Sequence, residues 1–231
     1  MSLALQIESL KFRWHPKAEP ILSIDALELE LGQSLFIQGA SGSGKSTLLN
    51  LMAGVLTPQE GVINLLDQPM SKWRGKQRDQ FRAHHIGYIF QQFNLLPYLT
   101  VMANVLLPCR LSAGRKKRAL EAYGTLEASA HHWLGQLNIP QALWQRPVTE
   151  LSVGQQQRVA AARALMGAPE LIIADEPTSA LDQDNVENFM SVLSQQCAAI
   201  GSSLIFVSHD RYLAKWFDQT LTLGKAREVA A

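Results

Sequence analysis

The chain has 231 residues, of which 47% are hydrophobic, with 21 basic and 20 acidic side chains. This balance is typical of a soluble globular protein with one large domain, or with two lobes that share one site. A net charge of +1 gives no electrostatic reason to expect nucleic acid or an anionic membrane as the partner. We find no apolar run near the roughly 18 residues of a membrane span, and the first ten residues lack a signal-peptide pattern. Cys109 and Cys197 have no CxxC spacing, which predicts reduced, buried thiols.

Three early segments have the pattern of strands. Apolar residues alternate with others over 3–8, and leucines alternate with glutamates over 27–31, which is the period of strands with one buried face. The segment 62–65 follows a turn-like stretch and predicts a third strand. Together these segments predict an antiparallel sheet in the first part of the chain.

The segment 39–46 reads GASGSGKS and fits the pattern G-x-x-x-x-G-K-[ST] of a phosphate-binding loop. An apolar run, 35–37, precedes it and a helical pattern, 47–52, follows it, which is the strand–loop–helix context that the motif requires. Glycines let the backbone wrap around phosphate, and the helix N-terminus adds partial positive charge. We expect Lys45 to contact the β- and γ-phosphates and the Ser46 hydroxyl to ligate Mg²⁺; the alternative is a glycine-rich turn with a chance lysine. The residues predicted to bind nucleotide here are Gly39, Ser41, Gly42, Ser43, Gly44, Lys45, Ser46 and Thr47.

Two later apolar runs, 171–174 and 204–207, are short and continuous, as in buried parallel strands. Between them, apolar residues recur at helical spacing over 186–193, and Gly201 closes the segment. Strand, helix and strand in this order predict an α/β fold with a parallel core sheet.

The interval 91–150 has a different pattern. It lacks strand-like alternation after Val101 and contains a helical stretch, 120–134. We predict a helical subdomain inserted into an α/β core that comprises 1–90 and 151–231. The basic run 115–118 predicts a solvated helix start, and a contact with lipid head groups or with a partner is the alternative.

A second set of motifs resembles those of a known protein family. LSVGQ at 151–155 opens a helical run, and QRV at 157–159 and ARAL at 162–165 continue it. With the phosphate loop, these motifs resemble the ATP-binding subunits of ABC transporters, whose signature is LSGGQ, and the resemblance covers essentially the whole chain. It implies a P-loop NTPase core with a helical subdomain.

The signature is a helix N-terminus that can bind an anion. In this family, the signature of one subunit contacts the γ-phosphate of an ATP molecule bound by the other subunit of a dimer. The resemblance implies this role for Ser152 and Gly154, with Gln155 beside them. Val153 departs from the family, which usually has glycine there, and a β-branched residue narrows the backbone options. Because Ser152 and Gly154 are intact, we expect an active site.

The strand 171–174 ends in Asp175 and Glu176, which resemble the second nucleotide motif of the family. Asp175 would hold Mg²⁺, directly or through water, and Glu176 would be the general base that polarises the attacking water. Two solvated carboxylates at the start of a loop are the alternative. His209 follows the strand 204–207 and resembles the family's switch histidine, which contacts the γ-phosphate at the sheet edge where ligands gather.

Three further positions take roles from the same resemblance. Gln91 corresponds to the glutamine that senses Mg²⁺ and the attacking water, with Gln92 as the neighbouring alternative. Asp182, in SALD at 179–182, lies in the family's dimer-contact loop and is also suited to cap a helix. Trp14 takes the place of the ring that stacks on adenine, and Phe12, on the same face of the strand, is its rival.

The resemblance implies ATP hydrolysis with Mg²⁺ by a homodimer that closes around two ATP molecules. Separate integral membrane permease subunits would dock beside the Gln91 loop at the cytoplasmic face of the inner membrane, with no nucleic acid involved. Apolar and aromatic residues after Gln91 are candidates for this docking groove or, equally, for packing within the helical subdomain. These residues are Phe93, Leu95, Leu96 and Tyr98.

The segments 68–71, 87–97 and 100–105 resemble the lipoprotein-releasing and macrolide-export ATPases. Members of that subfamily work with membrane proteins that have large periplasmic domains, and they often transmit force across the membrane. The alternative is a cell-division-type ATPase, which signals through a membrane partner without transport. Relatives that act on ribosomes or DNA are disfavoured, because this sequence has one cassette, no sustained heptads and no zinc-like cysteine spacing.

Overall fold

Two β-sheets organise the chain in a computed structural model that describes residues 2–179 and 181–224. The strands are β1 (Leu3–Phe12), β2 (Leu22–Glu30), β3 (Ser34–Gly39), β4 (Glu60–Leu65), β5 (Ile86–Ile89), β6 (Leu171–Asp175), β7 (Ser203–Ser208) and β8 (Gln219–Leu223). The α-helices are α1 (Lys45–Met52), α2 (Gly75–His85), α3 (Val101–Leu111), α4 (Ala113–Tyr123), α5 (Leu126–Gln136), α6 (Val153–Leu165) and α7 (Gln183–Ala199).

The larger sheet has the strand order β5-β6-β7-β3-β8, and all its neighbours are parallel. The carboxyl ends of its strands therefore meet at one edge, which receives the segment after β3, Asp175 of β6 and the residues that follow β5 and β7. The predicted parallel α/β core is confirmed. Strand β8 and helix α2 are additions that the sequence patterns did not indicate.

The smaller sheet has the order β2-β1-β4 with antiparallel pairing, as predicted. The alternation of β1 shifts at Ser9, whose φ of 49° accompanies an irregular register with β4. The predicted strand 27–31 is wrong at its end, because β2 stops at Glu30 and Leu31 is exposed in the turn that leads to Gly32.

Apolar side chains fill both faces of the parallel sheet. Phe36 and Phe206 pack toward α6 and α7, whereas Ile37 and Val207 pack toward α1 and the antiparallel sheet. Both cysteines are buried free thiols. Among the described residues, no helix has the length and hydropathy needed to cross a bilayer.

The interval 91–150 contains helices α3, α4 and α5. The helical stretch predicted over 120–134 is two helices, because Gly124 adopts a φ of 75° and Thr125 caps α5 by accepting a hydrogen bond from Ala128 N at 3.0 Å. Since Gly tolerates left-handed dihedrals, this is a natural break. The limits of a helical subdomain remain a prediction.

The prediction that the basic run 115–118 is solvated is wrong for its two arginines. Lys116 and Lys117 are exposed, whereas Arg115 and Arg118 contact other elements of the fold. Arg115 is 3% exposed and donates to Met166 O, Ile86 O and Ala164 O at 2.8, 3.2 and 2.5 Å. Arg118 donates to Gly167 O and His84 O at 2.9 and 2.7 Å. Guanidinium groups present several donors in a planar fork, and here they bind α4 to the ends of neighbouring elements.

Candidate functional site

The phosphate loop connects β3 to α1 at the carboxyl edge of the parallel sheet. Gly44 has a φ of 92°, a left-handed conformation that favours glycine. A Cβ on Gly39 would lie 2.8 Å from Leu223 O, so only glycine fits where the loop leaves the strand. Helix α1 starts without a side-chain cap in the described chain, so backbone N–H groups of its first turn are free to bind an anion.

Ser43 adds a second sign that this loop is built around a ligand. The residue is buried, and its Oγ has no hydrogen-bond partner among the described residues. Buried hydroxyl groups normally have a partner. An oxygen-rich ligand such as phosphate would supply one.

Lys45 is held inside the loop. Its side chain is 8% exposed, and Nζ donates to Gly39 O at 3.0 Å and to Ala40 O at 3.3 Å. Nζ also lies 3.5 Å from Glu176 Oε1. The ammonium group is therefore positioned at the phosphate loop and paired with the carboxylate that follows β6.

The Glu176 side chain contacts two other predicted site residues, Lys45 and His209. Its Oε1 contacts Lys45, and its Oε2 lies 3.3 Å from His209 Nδ1. Its backbone N donates to Val207 O at 2.9 Å, and its φ is 43°. A non-glycine residue in this region is strained, and such strain is common at functional sites. Strands β6 and β7 thus bring Glu176 and His209 to the phosphate loop.

Asp175 ends β6 next to Glu176. Burial, and then the charge of Glu176, raise the pKa of the Asp175 carboxyl, whereas Lys45 and a hydrogen bond with Ser46 lower it. A nearby cation would favour the ionised carboxylate. Hydroxyl and carboxylate oxygens are ligands that Mg²⁺ prefers, so Ser46 and Asp175 fit that ion.

Trp14 and Gln91 take no part in these hydrogen bonds and ion pairs among the described residues. Trp14 follows β1, is 56% exposed and packs edge-on against Phe12, with ring centroids 5.1 Å apart. Phe12 is buried, so its face is not free to stack on a base. Gln91 and Gln92 are both exposed in the turn after β5, at the same sheet edge as Asp175. Their roles remain predictions.

The signature segment forms the start of α6. Ser152 and Gln155 make a capping box, in which Gln155 N donates to Ser152 Oγ at 3.3 Å and Ser152 N donates to Gln155 Oε1 at 3.0 Å. Asp182 caps α7 by accepting from Asn185 N at 3.0 Å, and this bond lowers the pKa of its carboxyl. Ala180, within the predicted dimer-contact loop, lies outside the described residues.

The signature segment and Asp182 line the same open cavity, which has a volume of about 430 Å³. Its lining includes Ser152, Val153, Gly154, Gln155, Asp182 and Asn185. Lys45, Glu176 and His209 form a separate group at the sheet edge. The predicted nucleotide residues therefore divide into two sets within the described chain.

An apolar groove of about 250 Å³ lies beside the turn after β5. Its lining includes Tyr88, Phe90, Leu107, Pro108, Leu111 and Arg163. The sequence offered four candidates for a docking groove. Phe93 is buried in the core, Leu95 packs against that core, Leu96 is half-buried, and Tyr98 is exposed.

Arg163 is one residue near the candidate site that the sequence analysis did not single out. It contacts the carbonyls of Phe93 and Asn94. The only available signal was the ARAL motif, which contains this arginine but does not indicate a contact.

Comparisons with known proteins find similar sequences and folds. A family model described as ABC transporter matches residues 22–179. The lipoprotein-releasing system ATP-binding protein LolD of Saccharophagus degradans is 35% identical over 208 residues, which cover 90% of this chain and 88% of that protein. The dimeric ATP-binding cassette MJ0796, solved in a post-hydrolysis state with ADP and Pi, aligns with a TM-score of 0.80 and 31% identity over 98% of this chain and 97% of that chain. The cassette cbiO1 of Clostridium perfringens, part of the transporter complex cbiONQ, aligns with a TM-score of 0.81 and 25% identity over 98% and 86%.

Proposed function

Because this chain belongs to the ABC transporter family and is an ATP-binding ATPase of the cassette type, we propose that it is the motor subunit of a membrane transporter. ATP binding would close two copies into a dimer, and hydrolysis would reopen them. The movement would act on a separate membrane permease, for export or for transmission of force. We place the chain at the cytoplasmic face of the inner membrane, bound peripherally through that permease.

The observation that carries this proposal is the division of the site. Lys45 and Glu176 form one set at the sheet edge, and Ser152 and Asp182 form another around a separate cavity. Each set has anion-binding features, yet neither has all the predicted groups. A second copy would bring its signature to the first copy's phosphate loop, so that two ATP molecules lie between two chains. The dimeric MJ0796 cassette supports this arrangement.

The chemistry follows from the contacts at the sheet edge. Lys45 would exchange its partner Glu176 for phosphate oxygens, because both are acceptors for the same ammonium group. The released Glu176 carboxylate would take a proton from water, while His209 and Gln91 would orient the γ-phosphate and that water. Mg²⁺, held by Ser46 and Asp175, would supply charge neutralisation. Trp14 would stack on adenine, and Gly39, Ser41, Gly42, Ser43, Gly44 and Thr47 would surround the phosphates.

The apolar groove beside the turn after β5 is the proposed permease site. Phe90 and Leu111 are exposed there, and exposed apolar patches often mark protein contacts. A helix of the permease would place its apolar face in this groove.

A pull-down tests the proposal. Tagged Glu176→Gln protein is mixed with membranes, ATP and Mg²⁺, solubilised gently and analysed by mass spectrometry. Lys45→Ala, which is expected to bind ATP more weakly, is the matched control. We expect a multi-span protein with a large extracytoplasmic domain, retained only by the Glu176→Gln chain. A membrane partner that recruits a cell-wall hydrolase would instead support the regulatory alternative. Ribosomal or DNA-bound partners without a membrane protein would overturn the transporter assignment.

A further inference from the structure

Arg163 donates hydrogen bonds to the turn that contains Gln91. It lies on α6, which we also call the signature helix because it begins with the signature segment. We call residues 90–94 the glutamine turn. Arg163 Nη1 donates to Asn94 O at 2.7 Å, and Nη2 donates to Phe93 O at 2.6 Å. Burial lowers the pKa of Arg163 to about 10, so the guanidinium is still charged at neutral pH. Both contacts are therefore charge-assisted hydrogen bonds, which are stronger than neutral ones.

The glutamine turn needs such support. Phe93 and Asn94 have φ values of 59° and 47°, and two consecutive non-glycine residues in the left-handed region are strained. Local bonds within the turn run from Phe93 N to Phe90 O at 2.9 Å and from Asn94 N to Gln92 O at 2.6 Å. The carbonyl groups of Phe93 and Asn94 accept hydrogen bonds from Arg163 instead. The two guanidinium contacts therefore stabilise the strained backbone conformation of these two residues.

We propose that Arg163 is a positioning residue that holds the glutamine turn, and with it Gln91, in register with the signature helix. Helix α6, which Ser152 caps, lines the signature cavity, whereas the turn that contains Gln91 lies at the same sheet edge as Asp175. Arg163 joins them within one chain. The functional half of this inference rests on the proposed role of Gln91.

Hydrogen exchange tests the mechanical half without nucleotide. Arg118→Ala is the matched control, since Arg118 also donates to two backbone carbonyls, Gly167 O and His84 O, but outside the glutamine turn. We expect Arg163→Ala to speed amide exchange in the peptide that covers 90–96 by about tenfold. Arg118→Ala is expected to leave that peptide unchanged. Equal exchange of the peptide in both variants would overturn the inference.

Kinetics test the functional half. Arg163→Ala is expected to lower kcat for ATP hydrolysis by about tenfold, with KM within about twofold. Arg163→Lys, which keeps the charge but loses the fork, is expected to recover part of kcat. A fall in kcat no larger than that of Arg118→Ala would count against a positioning role.

A double-mutant cycle separates this inference from the proposed function. If Arg163 acts through Gln91, then Arg163→Ala adds little to the loss already caused by Gln91→Ala. Independent, multiplicative losses would contradict the inference while leaving the role of Gln91 intact. Unchanged kcat in Gln91→Ala would contradict the proposed role of Gln91 itself.

Discussion

The phosphate loop and the signature segment are both helix N-termini suited to an anion, but they are held by different kinds of contact. Lys45 is buried and forms an ion pair with Glu176, which follows the distant strand β6. Ser152 is exposed and bonded to Gln155, three residues away. The Lys45 contacts depend on strands that pair across the parallel sheet, whereas the Ser152–Gln155 capping box forms within its own helix. Substitutions at the two sites should therefore separate catalysis from dimer closure.

The largest expected effect is at the phosphate-loop site. Glu176→Gln is expected to slow ATP hydrolysis by about 10²–10⁴-fold, because an amide cannot accept the proton. ATP binding is retained, and the closed dimer accumulates. Phosphate release and size-exclusion chromatography with ATP measure both effects. Glu187→Gln is the control, since Glu187 pairs with Lys215 at the surface; normal turnover in Glu176→Gln would remove Glu176 as the base.

Lys45→Ala is expected to weaken ATP binding itself by about 10–100-fold, because the variant loses a charge-assisted hydrogen bond to phosphate. The neighbouring Glu176 would also lose its cation and repel the phosphates. Equilibrium binding of a fluorescent ATP analogue gives the change, with the surface variant Lys215→Ala for comparison. Unchanged affinity would show that the loop does not bind phosphate.

At the signature, Ser152→Ala and Thr125→Ala form a matched pair. Each removes a hydroxyl that caps a helix by accepting from the backbone N three residues later, so each is expected to lower the free energy of unfolding by about 1 kcal/mol. In a Glu176→Gln background, only Ser152→Ala is expected to weaken the ATP-dependent dimer. Denaturant unfolding and size-exclusion chromatography provide the two measurements. Equal dimer formation in both variants would mean that Ser152 only caps α6.

The smallest effect is expected at Val153, whose side chain is 49% exposed. Val153→Gly is expected to leave hydrolysis equal or higher, with a loss of unfolding free energy of no more than about 1 kcal/mol from the more flexible backbone. Val153→Ala separates loss of the side chain from gain of backbone freedom. A large loss of turnover in both variants would reveal a contact of the valine with nucleotide or partner.

The sequence indicated the parallel core because its signals there are local. A continuous apolar run that ends in Asp175 and Glu176 predicts a buried strand with acids at its tip, and the loop at 39–46 is defined by adjacent residues. The contact between Glu176 and His209 follows from parallel pairing of β6 with β7. For that reason, residues far apart in the chain were correctly expected at one edge.

Long-range hydrogen bonds were beyond the sequence patterns. Arg115 and Arg118 belong to a charged run that indicates a solvated helix, yet both reach backbone carbonyls of other elements. Nothing in the spacing of Arg163 points to the carbonyls of Phe93 and Asn94, because the acceptor is backbone and carries no residue-type signal. The break at Gly124 was available in the sequence, but the helical period on both sides concealed it.

The strand order has a consequence for how the protein is made. Strand β3, which leads into the phosphate loop, pairs on both sides with strands that come late in the chain, β7 and β8. During translation the loop leaves the ribosome long before either neighbour exists, and such non-local pairing is slow to form. We therefore expect the nascent chain to bind nucleotide only after most of the core has been synthesised and β3 has paired with β7 and β8.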